Sequence, residues 1–172
     1  TLRHRRIALW IPEIDVWEHI HGMLRHTAGN FAGDFAIAAQ EYGDGVLLEE
    51  EGLRVSALHN THLPARADGA WRSFGFAIEA EGKKVVFSGD TGGVGELLPL
   101  LEGCDLLLME TGHHPPVEVV RQLQDADALP GMLGFIHHGR AILNDREGQL
   151  RELRALLGDR VAILEDATTL EV

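Results

Sequence analysis

The sequence predicts an α/β (α+β) protein, a mixed sheet with helices on its outer face, and three observations carry that prediction. From residue 83 onward a strand pattern and a helix pattern alternate three times: "KKVVFSGD" with "GELLPLL", "CDLLLME" with "PVEVVRQLQ", and "GMLGFIH" with "REGQLRELRALL". Repeated units of this kind build a sheet with helices packed on it. Before them stand two β-rich segments, each broken once by a Glu-Gly turn. Finally, 172 residues suffice for one sizeable core. No internal repeat, low-complexity tract or linker divides them, so residues 1–172 are expected to form a single domain.

The elements follow in order. "RIALWI" (6–11) reads as a strand stopped by Pro12. "DVWEHIHGMLRH" (15–26) reads as a helix capped by Asp15, with Val16, Ile20, Met23 and Leu24 on one face. His19 and His21 are two apart and therefore point to different helix faces, which argues against a metal pair there. "GVLLEEEGLRVSALH" (45–59) turns at Glu51-Gly52, and "RSFGFAIEAEGKKVVFSG" (72–89) turns at Glu81-Gly82. Their alternation predicts two antiparallel hairpins, each with one buried face. "ARADGAW" (65–71) reads as a loop, and after the three strand–helix units the chain ends with short strands in "RVAILE" and "TTLEV".

Composition excludes several classes. A formal net charge of −12 opposes attraction of a polyanion, so a nucleic-acid groove is not expected. "LRHRR" (2–6) is the best candidate for a local basic patch, and a solvated terminus is the plainer reading. No apolar run is long enough for a bilayer and no basic-then-apolar leader precedes the first strand, so the expectation is a cytoplasmic protein with no membrane partner. The single cysteine, Cys104, builds neither a disulfide framework nor a thiolate metal site and reads as a small buried hydrophobe. Ten histidines are the excess that asks for an explanation. Histidine is the commonest metal ligand.

Each strand of the second half delivers a polar residue at its carboxyl end: Asp90 after "VVFSG", Glu110 after "DLLLM" and His137 after "LGFI". Sites in helix-covered sheets form outside the carboxyl ends of strands, so these side chains are expected at one edge. "LHNTH" adds His59 and His62 after an earlier strand. Imidazoles and carboxylates without thiolates suit Zn²⁺, Mn²⁺ or Fe and support metal-assisted hydrolysis. Taken singly, Asp90 before Thr-Gly-Gly reads as a turn former and His62 as an ordinary hydrogen-bonded histidine. The information lies in the conjunction. A phosphate cradle in "GDTGGVG" is the competing reading, but neither Gly-x-Gly-x-x-Gly nor a P-loop Lys-Ser/Thr is present.

With Asp90, His62 and His137 in hand, the chain resembles the metallo-β-lactamase superfamily, in the branch that includes ribonuclease Z, related phosphodiesterases and arylsulfatase-like hydrolases. The segments that carry the resemblance are "VSALHNTH…RSFGFAIEAEGKKVVFSGDTG", "DLLLMETGHHPPVEVVRQL" and "MLGFIHHGR", within residues 55–140. The resemblance implies half of a four-layer αββα sandwich, so residues 1–172 become a domain or half-domain forming its C-terminal portion. It implies a dinuclear site, zinc first and manganese or iron as alternatives, in which His62 ligates one metal, Asp90 bridges both and His137 ligates the other. It also implies that Glu110 supports a catalytic histidine. His114 is favoured for that role because Pro115 and Pro116 then open the helix, with His113 the alternative; His138 and His59 stand as alternatives to His137 and His62.

One departure matters. The family's His-x-His-x-Asp-His motif is absent, and His19-Ile20-His21 is followed by Gly22 and Met23 instead. Two metals are not held by His62, Asp90 and His137 alone. Two expectations follow: a separate N-terminal segment associates and supplies the remaining ligands, or the chain is a degenerate member that serves as a binding or scaffold protein. The opening "TLRHRRIALW" enters directly on a strand pattern, which suits the first and does not exclude the second. The expected activity is hydrolysis of a small phosphodiester or ester, the expected partner is that small molecule, and self-association is open.

Overall fold

The computed structural model describes residues 5–27 and 35–172, and these divide into two compact units, residues 1–43 and 44–172. The "LRHRR" patch falls largely outside the described residues; its Arg5 and Arg6 are exposed.

In the first unit, β1 (Arg6–Ile11) and β2 (Ala36–Glu41) pair in parallel, and α1 (Ile14–Thr27) lies between them in sequence. The helix begins one residue earlier than the sequence predicts. Asp15 therefore sits in the first turn, where its charge complements the positive helix end, and the Ile14 N–H is capped instead by Glu41 Oε1 at 2.9 Å. His19 Nδ1 meets the Asp15 carbonyl oxygen at 2.6 Å and His21 stacks on Trp17, so the two imidazoles do diverge.

The second unit is a seven-stranded mixed sheet ordered β3 to β9 in chain sequence. Its strands are β3 (Gly45–Glu50), β4 (Leu53–His59), β5 (Phe74–Ala80), β6 (Lys83–Phe87), β7 (Leu106–Thr111), β8 (Met132–His138) and β9 (Val161–Ile163). The first four pair antiparallel and the last four parallel. Both predicted hairpins form. Positive φ at Glu51 and Gly52 and at Glu81 and Gly82 gives each the turn whose twist matches paired strands.

The connections after β6, β7 and β8 carry α2 (Val94–Leu101), α3 (Pro116–Asp125), and α4 (Arg140–Asn144) with α5 (Arg146–Leu157). Alternate strand residues Ala77, Val86, Leu107, Met109, Leu133, Phe135, Val161 and Ile163 form one buried cluster with Leu97, Leu101, Val119, Val120, Leu123 and Leu153 of the helices. Cys104 belongs to that cluster, as a small hydrophobe. "TTLEV" forms no strand. After Leu164 the chain turns, with Thr168 N–H donating to the Glu165 carbonyl and Glu165 N–H to the Thr168 hydroxyl, so the backbone leaves the sheet edge.

Strand direction fixes the geography of the site. Two antiparallel steps return β4 to the direction of β6, and β7 and β8 run parallel to β6. The carboxyl ends of β4, β6, β7 and β8 therefore share one edge. Among the described residues, no helix is long and apolar enough to cross a membrane.

Phe135 is fully buried in the middle of this core. Phe135→Ala is expected to lower unfolding stability by about 3–5 kcal/mol, read in urea as a shifted midpoint at an unchanged slope.

Candidate metal centre

The strand ends bring four groups together. His62 Nε2 lies 3.8 Å from Asp90 Oδ2, and His137 Nε2 lies 3.8 Å from Asp90 Oδ1. Each carboxylate oxygen thus faces a different imidazole. Two ligands on one ion at about 2.1 Å each stand no more than about 4.2 Å apart, and both pairs fall inside that limit. His113 is the fourth group: ligand atoms of His62, Asp90 and His113 lie within 4.8 Å of one another, and its ring packs edge-on to His62 and flat against His137. Nitrogen and carboxylate donors at this spacing fit a borderline metal such as zinc.

Backbone geometry explains the convergence. Asp90 follows Gly89, whose φ is +58° and whose missing Cβ would meet the Phe74 carbonyl oxygen at 2.4 Å; only glycine lets β6 turn so close to β5. Ser88, fully buried, receives the Glu110 N–H on its hydroxyl at 3.0 Å and so ties the Asp90 turn to β7. Beyond β4, Asn60 Oδ1 accepts the His62 N–H at 3.1 Å and shapes the turn that points His62 inward. The second imidazole arrives through a bulge. Glu110 pairs with Ile136 and Thr111 with His138, so His137 is the extra residue, held at φ +46°. Its ring lies across Gly112, where a Cβ would come within 2.4 Å of it.

Glu110 is 1% exposed. Its Oε2 accepts the His113 N–H at 3.0 Å, and its Oε1 pairs with His113 Nδ1 at 3.0 Å. Burial pushes this carboxyl up, but the two hydrogen bonds from His113, the His113 charge and the Thr91 N–H together outweigh it and hold the group below the ordinary carboxylate range. Glu110 therefore stays ionised at neutral pH, and with Nδ1 engaged, Nε2 is the His113 nitrogen left for chemistry.

The sequence alternatives part company here. His113, not His114, faces His62 and His137; His114 turns back, with Nε2 on the Thr91 carbonyl oxygen at 2.9 Å and 3.5 Å from Glu110 Oε1. His59 is engaged by Asp44 at 2.7 Å and stacks on Trp71, and His138 Nε2 meets the Leu164 carbonyl oxygen at 2.6 Å. Neither joins the cluster. Sequence reading missed Ser88, Asn60, Thr61, Thr91 and Glu96, which hold the site together. Only Glu96 had a signal, a glutamate at the third helical position after a glycine cap.

Residues 1–160 match the sequence model of the family described as "Beta-lactamase superfamily domain". No curated protein gives a significant sequence match. Among solved structures, the chain is similar to human tRNase Z, short form, with TM-score 0.66 and 16% identity over 95% of this chain and 66% of that one. It is similar to the Zn²⁺-bound PqqB from Methylobacterium extorquens, with TM-score 0.60 and 17% identity over 96% and 64%. A diphosphatase from the PhnP family follows with TM-score 0.57 and 11% identity over 97% and 59%. The chain thus spans less than two thirds of the length of each.

His137 carries backbone strain that an L side chain feels and glycine does not. His137→Gly is expected to be more stable than His137→Ala by about 1 kcal/mol in thermal unfolding of the metal-free protein; equal stability would contradict the strain.

Proposed function

This chain belongs to the beta-lactamase superfamily, and from that premise we propose that it is a metal-dependent hydrolase of a small phosphodiester or ester. The observation that carries the reading is Asp90, whose two oxygens each stand 3.8 Å from a different histidine. A carboxylate presented this way suits a bridge between two ions; His62, Asp90 and His137 would be this chain's share of their ligands, with the rest supplied by a separate segment, zinc being the first choice for such donors. When bound, the metal polarises the scissile group and lowers the pKa of water to about 7.

The remaining residues supply orientation and protons. Glu110 accepts from His113 Nδ1–H and fixes the ring's tautomer and orientation. His113, 45% exposed at the side chain, then presents Nε2 at the mouth of the site as the group that protonates the leaving oxygen. His114 is the weaker choice for that task. Its side chain is 20% exposed and its Nε2 is committed to the Thr91 carbonyl, which makes it a brace for the residue next to Asp90. The net charge of −12 disfavours a polyanion such as tRNA and favours a small substrate.

Metal analysis and turnover of bis-p-nitrophenyl phosphate and p-nitrophenyl acetate, measured on the same preparations, test this reading. Asp90→Asn is expected to lose metal and activity together. His113→Ala is expected to keep its metal and lose turnover by about 10²–10⁴-fold. Loss of metal in His113→Ala would make His113 a third ligand beside His62 and Asp90. A wild-type protein that binds no transition metal would overturn the hydrolase reading for this chain alone and support the alternative of a fold-retaining binding or scaffold protein.

A further inference from the structure

The loop that carries His62 and the loop that carries Asp90 share one carboxylate. Glu96 Oε1 accepts the Thr61 N–H at 3.1 Å and the Thr61 hydroxyl at 2.5 Å. Its Oε2 accepts the Thr91 hydroxyl at 2.8 Å and the Gly92 N–H at 2.9 Å. One oxygen serves each loop. Thr61 immediately precedes His62 and Thr91 immediately follows Asp90, so the carboxylate grips both loops one residue away from the side chains that approach to 3.8 Å.

The carboxylate itself is well anchored. Glu96 lies in the first turn of α2, whose Val94, Leu97, Leu100 and Leu101 are buried. Its backbone is thus part of the core while its carboxyl reaches back across the helix start. Gly92 makes the closure fit: a Cβ there would come within 2.5 Å of the Thr61 hydroxyl and 3.0 Å of Glu96 Oε1. Burial pushes the Glu96 carboxyl up, yet the hydrogen bonds from Thr61, Thr91 and Gly92 outweigh it and hold the group below the ordinary carboxylate range. It is an ionised acceptor at neutral pH.

We infer that Glu96 is a positioning residue that sets the separation of His62 from Asp90 and so preorganises the site for a divalent metal. The metal part rests on the reading of His62 and Asp90 as ligands; the clamp is a property of the metal-free chain. Glutamine does not replace it. The amide offers one acceptor oxygen, and its NH₂ can donate to a threonine hydroxyl but not to a backbone N–H, so either the Thr61 or the Gly92 N–H loses its partner and one loop is held by a single bond.

Two measurements on the whole chain test the inference. In the metal-free protein, Glu96→Gln is expected to raise hydrogen exchange at the Thr61 or Gly92 amide by about tenfold, one net hydrogen bond's worth, while the Leu107 and Phe135 amides keep their protection. By chelator competition, Zn²⁺ affinity is expected to fall about tenfold, the loss typical of a removed supporting partner. Thr61→Val, which deletes only the hydroxyl bond, is expected to weaken Zn²⁺ binding about threefold and serves if Glu96→Gln does not fold. Unchanged exchange at both amides, or wild-type Zn²⁺ affinity in a variant whose loops have loosened, would overturn the clamp. A wild-type chain that binds no Zn²⁺ would defeat the ligand reading and with it the metal part of the inference, and the exchange result would still decide the clamp.

Discussion

One carboxylate held between two imidazoles is the constraint around which this sheet edge is organised. Asp90 reaches that position because β6 ends in a glycine that turns against the Phe74 carbonyl oxygen, with no room for a side chain. His62 arrives from β4, which two antiparallel steps have returned to the direction of β6. His137 arrives from β8 through a bulge. Moving any of the three strand ends by one residue would turn its side chain to the other face of the sheet and empty the cluster.

The cost of this arrangement is local. His137 occupies a left-handed backbone, Glu110 is a carboxylate 1% exposed, and Asn60 Nδ2 is buried without a hydrogen-bond partner among the described residues. Elsewhere in the second unit alternating strand residues face buried helix residues, α5 has its Asp145 cap, and both hairpins use the favoured turn. Backbone strain, a buried carboxylate and an unpartnered buried amide coincide at this one edge. The departures also support one another, since Glu110 is satisfied by His113 and the His137 ring lies in the space left by Gly112.

Much of this was legible in the residues. Glu-Gly punctuation between alternating segments specified both hairpins, and strand–helix alternation specified the parallel half with Asp90, Glu110 and His137 at its carboxyl edge. The choice between His113 and His114 was not legible. The position of the prolines at the start of α3 does not reveal which ring faces the cluster, because the Glu110 side chain folds back to bond both the backbone and the ring of His113. That is a tertiary hydrogen bond with no periodic signature. The His137 bulge was hidden for the same reason, because a two-residue alternation cannot reveal where one extra residue enters. "TTLEV" has strand-like composition, but the chain turns away before reaching it, and strand propensity without a partner edge forms no strand.

The account stands on a metal being held at Asp90 by residues of the second unit. Anomalous diffraction at the zinc edge, from crystals of the whole chain grown with Zn²⁺, tests this most directly. The account predicts a peak at coordinating distance from Asp90 and from His62 or His137. Crystals that show ordered His62, Asp90 and His137 side chains at millimolar zinc and no anomalous peak among them would contradict it.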